Sequence, residues 1–342
     1  MLRLGQIRTV AIVVLVLPCV CLSAGPSEFS LKLSAGAGWL DGGDLNSSIA
    51  GWKDYYQDRT SSSFSSSYGL KELRRIPEIQ AELAVRFSSR WSVGLAVGFI
   101  PGATSGEVST LLSEEEAYSL PSGGGGVISL EEELTGLLKY ELRAVPVLLT
   151  VYWSFPLRNN LELNLGAGGG LYLGRFTYRE ESLYYLNSID TQNTAGEPAQ
   201  YFDLYELAVE YSEKASARGF GAHGLVGLDY RISPSLAVTF EVVGRWAGLD
   251  DWRGEKTDAY EWSQTWGFGG GFSEEGEFEE STEGKLWRVD ARGETTSGTY
   301  PRLVFQADEP ASASNSNVRP ARINLGGVSV RIGFRFQFGE RH

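Results

Sequence analysis

Apolar residues recur at every second position in eight stretches of the chain, with charged or small polar residues between them. The stretches are Phe29–Trp39, Ile76–Phe87, Trp91–Phe99, Tyr140–Trp153, Leu161–Phe176, Gly219–Arg231, Leu236–Trp246 and Ala321–Phe338. A period of two marks a strand with two unlike faces. Most of these runs have nine residues or more, matching the ~9–11 that a tilted strand needs to cross a bilayer.

The connections sort into two kinds. Three are short: SSR, FPLRNN and ISPS. Four are long, at about 40–75, 100–139, 177–218 and 247–320, and the two kinds alternate along the chain. Alternating tight turns and long loops on an even number of strands predict an all-β, up-and-down antiparallel transmembrane barrel. Its turns would be periplasmic and its loops extracellular. Eight strands are expected, or ten if the segments YEWSQTWGFGGGF and KLWRVDAR crossed as a further hairpin. The second of these has no clean lipid face, so a hairpin standing above the membrane is the preferred reading.

The faces can be assigned by cost. Ile79, Ala81, Leu83, Val85 and Phe87 share one side of their strand, as do Leu236, Val238, Phe240, Val242 and Trp246 on theirs. Lipid must take these sides, because a basic residue at the bilayer midplane costs about 2–4 kcal/mol. Lys32, Glu78, Glu82, Arg86, Glu162, His223, Asp229, Arg231, Glu241, Arg245, Arg331 and Arg335 then point inward. An eight-stranded barrel is just wide enough for side chains to fill, and buried charges need partners. A lumen plugged by ion pairs is therefore expected ahead of a water-filled pore. Two places break the alternation, and a bulge is expected at each: beside Pro146, and at Gly326–Gly327. Aromatic girdles are expected at both interfaces. Phe87, Trp91, Trp153, Phe155, Tyr230 and Phe338 would form the one at the turn end, and Trp39, Phe99, Phe176, Phe220 and Trp246 the one at the loop end.

The first residues change the picture of where the protein works. Arg3 and Arg8 precede an apolar run of about 13 residues that gives way to Ser23, Ala24 and Gly25. This reads as a signal peptide over residues 1–24, cleaved near 23–25. Cys19 and Cys21 are the only cysteines and fall inside it, so the exported chain would hold together without disulfides. Losing Arg3 and Arg8 takes the formal charge from −13 to −15, which excludes nucleic acid as a partner.

The chain ends RIGFRFQFGERH, in which Arg331, Gly333, Phe336 and Phe338 resemble the C-terminal assembly signal of bacterial outer-membrane barrels. The four residues GERH after the last aromatic depart from that pattern. In architecture the chain resembles the small eight-stranded OmpA/OmpX/OmpW-like outer-membrane superfamily of Gram-negative bacteria, without a peptidoglycan-binding domain after the last strand. The resemblance implies residence in the cell outer membrane. It also implies insertion by the barrel-assembly machinery, contact with outer-membrane lipid and lipopolysaccharide, an unidentified extracellular ligand, and a monomeric state.

Candidate chemistry is sparse. Acidic clusters at Ser113–Glu116, Glu131–Glu133 and Ser273–Glu280 have no ordered calcium-ligand spacing and read as solvated surface. Ser129–Glu132 could be a capping box opening a short helix. With one internal histidine, no metal site or cofactor is expected, and the glycines 166–170 follow no helix start that would cradle phosphate. His223 with Glu241 or a loop serine is the only candidate for a lipid A-modifying activity, and no motif fixes its partner, so no catalytic residue is assigned. The expected function is a non-enzymatic barrel acting through its long acidic loops. A narrow passive channel for small or hydrophobic solutes, as in OmpW-like proteins, is the alternative.

Overall fold

The computed structural model describes residues 28–59, 63–119, 125–193, 198–268, 271–293, 298–312 and 314–338. The expected signal peptide, both cysteines and the terminal GERH lie outside the described residues. In chain order the first elements are β1 (Glu28–Leu40), α1 (Asp44–Asp58), β2 (Phe64–Tyr68), β3 (Arg75–Arg86) and β4 (Trp91–Ser119). They are followed by β5 (Gly125–Arg158), β6 (Leu161–Asn193), β7 (Pro198–Ser233), β8 (Leu236–Leu249) and β9 (Arg253–Phe268). The last are β10 (Phe272–Arg292), β11 (Thr299–Gln306), β12 (Asn315–Pro320), β13 (Ile323–Asn324) and β14 (Gly327–Phe338). Among the described residues no helix is long and apolar enough to cross a membrane.

Eight of the strands close on themselves. Antiparallel ladders join β1, β3, β4, β5, β6, β7, β8 and β14 in that order, and β14 returns to β1. Closure leaves no free edge around the ring. The register keeps like faces together. Leu31 lies between Leu83 and Phe336, while Lys32 lies between Glu82 and Arg335. A slip of one residue would turn every such charge outward.

Above the ring, β4 to β7 continue as sheet. β6 alone has 33 residues, roughly 110 Å of strand at about 3.3 Å per residue. β7 exchanges its neighbour on the way: Gly221–Ser233 pairs with β8, and Tyr201–Ser216 pairs with β9. β8 and β9 are joined by a sharp bend, with Asp251 at φ 50° and Trp252 folded inside. β10 extends the sheet from β9, and its second half pairs with β11 and β12 over the mouth of the barrel. The hairpin β9–β10 thus stands above the ring, and the ring closes at eight strands.

The long connections are therefore mostly folded. Residues 100–139, 177–218 and 247–320 are largely strand, and 40–75 contains α1 and β2. Ser129–Glu132 begins no helix. It lies in β5, paired with both β4 and β6, and two ladders outweigh one capping interaction.

Neither expected bulge forms. Ala144 opposes Ile100 and Val147 opposes Val97, so the offset is unchanged across Pro146. The proline ring is accommodated by Gly98, where a Cβ would lie 2.9 Å from Pro146 Cγ. Ile323 opposes Leu249 and Gly327 opposes Arg245, again with one offset, so Ile323 and Leu325 face inward like Arg331 and Arg335. Phe176 also points inward and is fully buried, not part of a girdle. These three corrections share one cause: toward the loop end, the inside of the barrel is apolar.

Candidate functional site: the closed lumen and its apolar cap

The inward charges meet in the lower lumen. Lys32, only 1 % exposed, contacts Glu241 at 2.6 Å and Glu82 at 3.2 Å. Its ammonium also donates to the Tyr152 hydroxyl at 3.2 Å, and that hydroxyl donates to Glu82. Arg331 reaches Glu241 at 3.0 Å and Glu78 at 3.7 Å, and it donates to the Gln80 amide oxygen. One step higher, Arg245 pairs with Glu78 at 2.9 Å and donates to the Leu325 carbonyl. One step lower, Arg335 pairs with Asp229 at 2.9 Å. At the turn end Glu162 accepts from Arg86 and lies 3.6 Å from Arg231. Eleven of the twelve inward residues thus form a column of ion pairs running along the lower lumen. Charges sequestered in this way need such pairing, because removing one partner leaves the other buried alone.

His223 is the twelfth. It is buried, and its Nε2 lies 2.9 Å from the Thr150 hydroxyl. Its Nδ1 has no hydrogen-bond partner among the described residues, and neither Glu241 nor a loop serine hydrogen-bonds to it.

The upper lumen was not legible as a site. There Leu142, Phe176, Leu249, Trp252, Ile323 and Leu325 fill the bore, all buried. Helix α1 closes it from above. Leu45, Ile49, Trp52 and Tyr56 follow a spacing of four, three and four residues, which places them on one helical face, and this face is packed into the same cluster. Gly51 lets β11 approach closely, since a Cβ there would lie 2.3 Å from the Pro301 carbonyl oxygen. Asp44 at the helix start accepts two bonds from Arg319, at 2.6 and 2.7 Å, and one from the Arg322 backbone N–H. The Asn46 side chain is bonded to both the N–H and the carbonyl of Leu73. The spacing of Leu45, Ile49, Trp52 and Tyr56 was the available signal for this cap, but it lies in a stretch read as loop.

A cluster of polar side chains in the wall sits beside the cap. Glu213 is buried, accepts from the Tyr211 hydroxyl, and lies near Lys256 and Asp258, which pair with each other at 3.0 Å. Burial pushes its carboxyl up to about 7, with Asp258 and Glu180 adding to the rise against Tyr211 and Lys256.

The outer wall has the opposite character. Trp91 stacks on Trp153, which contacts Phe155, at the turn end. Trp39, Phe99, Phe220 and Trp246 stand exposed toward the loop end, Phe220 at 83 %. Phe336 and Phe338 lie on this outer wall, with Arg331 inside. Among the described residues no cluster of His, Cys, Asp and Glu forms a metal site.

No protein-family model and no curated protein matches this chain. Among solved structures, the crystal structure of the outer membrane protein OprG from Pseudomonas aeruginosa is similar at 9% identity, covering 92% of this chain and 97% of that one, with a TM-score of 0.31. At that score the fold rests on the closed ladders themselves.

Proposed function

We propose that the protein is a closed, non-conducting outer-membrane barrel that acts by presenting its extended sheet outside the cell. The observation carrying this reading is the filled bore: a column of ion pairs below and an apolar cap above. The outward apolar band and the girdles support placement in a membrane, and the acidic outer surface of β5 to β10 supports a role in contact with solvent and partners. Catalysis is no part of the proposal, since His223 is buried against Thr150. The test is planar-bilayer recording with purified protein. Silence at all voltages is expected, and stable ion-selective conductance would replace this reading with that of a passive channel.

A further inference from the structure

The chain is strongly acidic, yet one part of the outer wall is basic. On three neighbouring strands, the first outward residue beyond the apolar band is an arginine. Arg143 precedes Val145 on β5, Arg175 follows Leu173 on β6, and Arg218 precedes Phe220 on β7. Four residues further along each strand, about 13 Å, stands a second cation: Lys139, Arg179 and Lys214. The ladder sets Arg143 directly opposite Arg175, and Lys139 directly opposite Arg179. Such positions hold Cβ atoms about 5 Å apart, and like charges placed so destabilise a sheet.

The local acids do not neutralise this arrangement. Glu141 pairs with Lys139 at 2.7 Å and Arg143 at 2.9 Å, and Glu255 lies 3.7 Å from Lys214. Arg175, Arg179 and Arg218 are exposed and form no ion pair among the described residues. The hydrogen bond from Lys139 is the chief lowering influence that holds the Glu141 carboxyl below its ordinary range, so this acid stays ionised and the six cations still outnumber the acids. Higher on the same wall the sign reverses. Glu181 faces Glu210, and Glu261 faces Glu277. A soluble polyanion approaching from outside would meet those acids first. A ligand already at headgroup depth meets the cations.

We infer that Lys139, Arg143, Arg175, Arg179, Lys214 and Arg218 form a binding surface for the phosphorylated headgroups of outer-leaflet glycolipid. Guanidinium groups bind phosphate through paired N–H donors, and each cation near an anionic membrane surface adds to the attraction. The inference rests on the membrane placement proposed above.

The test uses the full chain folded in zwitterionic detergent, with bisphosphorylated lipid A as probe and dephosphorylated lipid A of the same acyl composition as control, read by native mass spectrometry. Wild type should retain the phosphorylated lipid in preference to the control, and added salt should weaken that retention. Arg143→Gln/Arg175→Gln/Arg179→Gln/Arg218→Gln should lower it at least about tenfold, while Arg74→Gln, outside the patch, leaves it unchanged. Equal retention of both lipids, a quadruple variant that binds like wild type, or equally tight capture of inorganic phosphate alone would overturn the inference. Folding and insertion are scored separately by heat-modifiable gel migration and vesicle flotation. A chain that inserts without phosphate preference overturns only this inference, whereas one that does not insert overturns the membrane placement and the inference with it.

Discussion

Strand β5 passes through two environments, and its two halves obey the same period with opposite chemistry. In the lower half, Leu149 and Val151 face out while Thr150 and Tyr152 face in toward the charges. In the upper half, Glu141 and Arg143 face out while Leu142 and Ala144 face in toward the cap. Nothing shifts between them; the register across Pro146 is unbroken. What changes is the solvent. Where lipid lies outside, on the placement proposed above, the apolar side chains turn outward and the ionic ones pair within. Where water lies outside, the same alternation buries the apolar side chains. Binary pattern reports the contrast between faces, and only the surroundings say which face is which.

The contrast predicts unlike responses in the two regions. In the lower lumen, Lys32→Met leaves Glu82 and Glu241 buried without their shared cation and should cost about 3–5 kcal/mol, read as a lower urea midpoint of the reconstituted barrel. Adding Glu82→Gln and Glu241→Gln should restore most of that loss, because the penalty is an unpaired charge. In the upper lumen, Trp252→Ala should cost a similar ~3–5 kcal/mol by opening a cavity, and neutralising nearby charges should restore none of it. If both variants were rescued alike, the division into an ionic and an apolar region would be wrong.

Glu213 belongs to the upper region and gives it a pH dependence. Its carboxyl keeps a proton to about 7 in the folded state, while in the unfolded chain it titrates in the ordinary carboxylate range. This group's contribution therefore falls as pH rises from about 4.5 to 7 and is flat above, a loss on the order of 3 kcal/mol. Urea unfolding at pH 5 and pH 8 should show a smaller difference for Glu213→Gln than for wild type. An unchanged difference would mean that Glu213 is ionised throughout.

The outer wall offers a gentler comparison. Leu149→Arg places a cation against lipid and should cost about 2–4 kcal/mol, whereas Leu137→Arg, above the band on the same strand and the same face, should stay within about 0.5 kcal/mol. Equal costs at the two positions would mean that the band continues past Arg143.

Much of the architecture was legible because lipid imposes a strict rule on the lower half of each strand. The eight crossing segments, the inward placement of Lys32, Glu241 and Arg331, and the short turns all follow from alternation read against that one solvent. The upper half departs from expectation for the same reason. An apolar Phe176 is expected in the outer girdle, and the breaks in alternation beside Pro146 and at Gly326–Gly327 are expected to need bulges, because the rule supposes lipid outside along the whole strand. The partners that bury Phe176, Ile323 and Leu325 come from distant parts of the chain: Leu249, Trp252 and the face of α1. Long-range closure of this kind leaves no mark on the local period. Helix α1 left one, in Leu45, Ile49, Trp52 and Tyr56, but a stretch of serines, glycines and charges around it made a loop the simpler reading.

Cysteine scanning along β5 tests the filled, phase-continuous barrel most directly, since the chain's only cysteines are Cys19 and Cys21. Single cysteines at positions 137 to 153 would be challenged in vesicles with a membrane-impermeant thiol reagent and, separately, with a lipid-borne one. The expected result is aqueous labelling at 137, 139, 141 and 143, lipid-side labelling at 147, 149 and 151, and protection at even positions throughout. Aqueous labelling at 148, 150 and 152 would reveal an open lumen, and labelling at 142 with protection at 141 would reveal a phase change at Pro146; either would contradict the account.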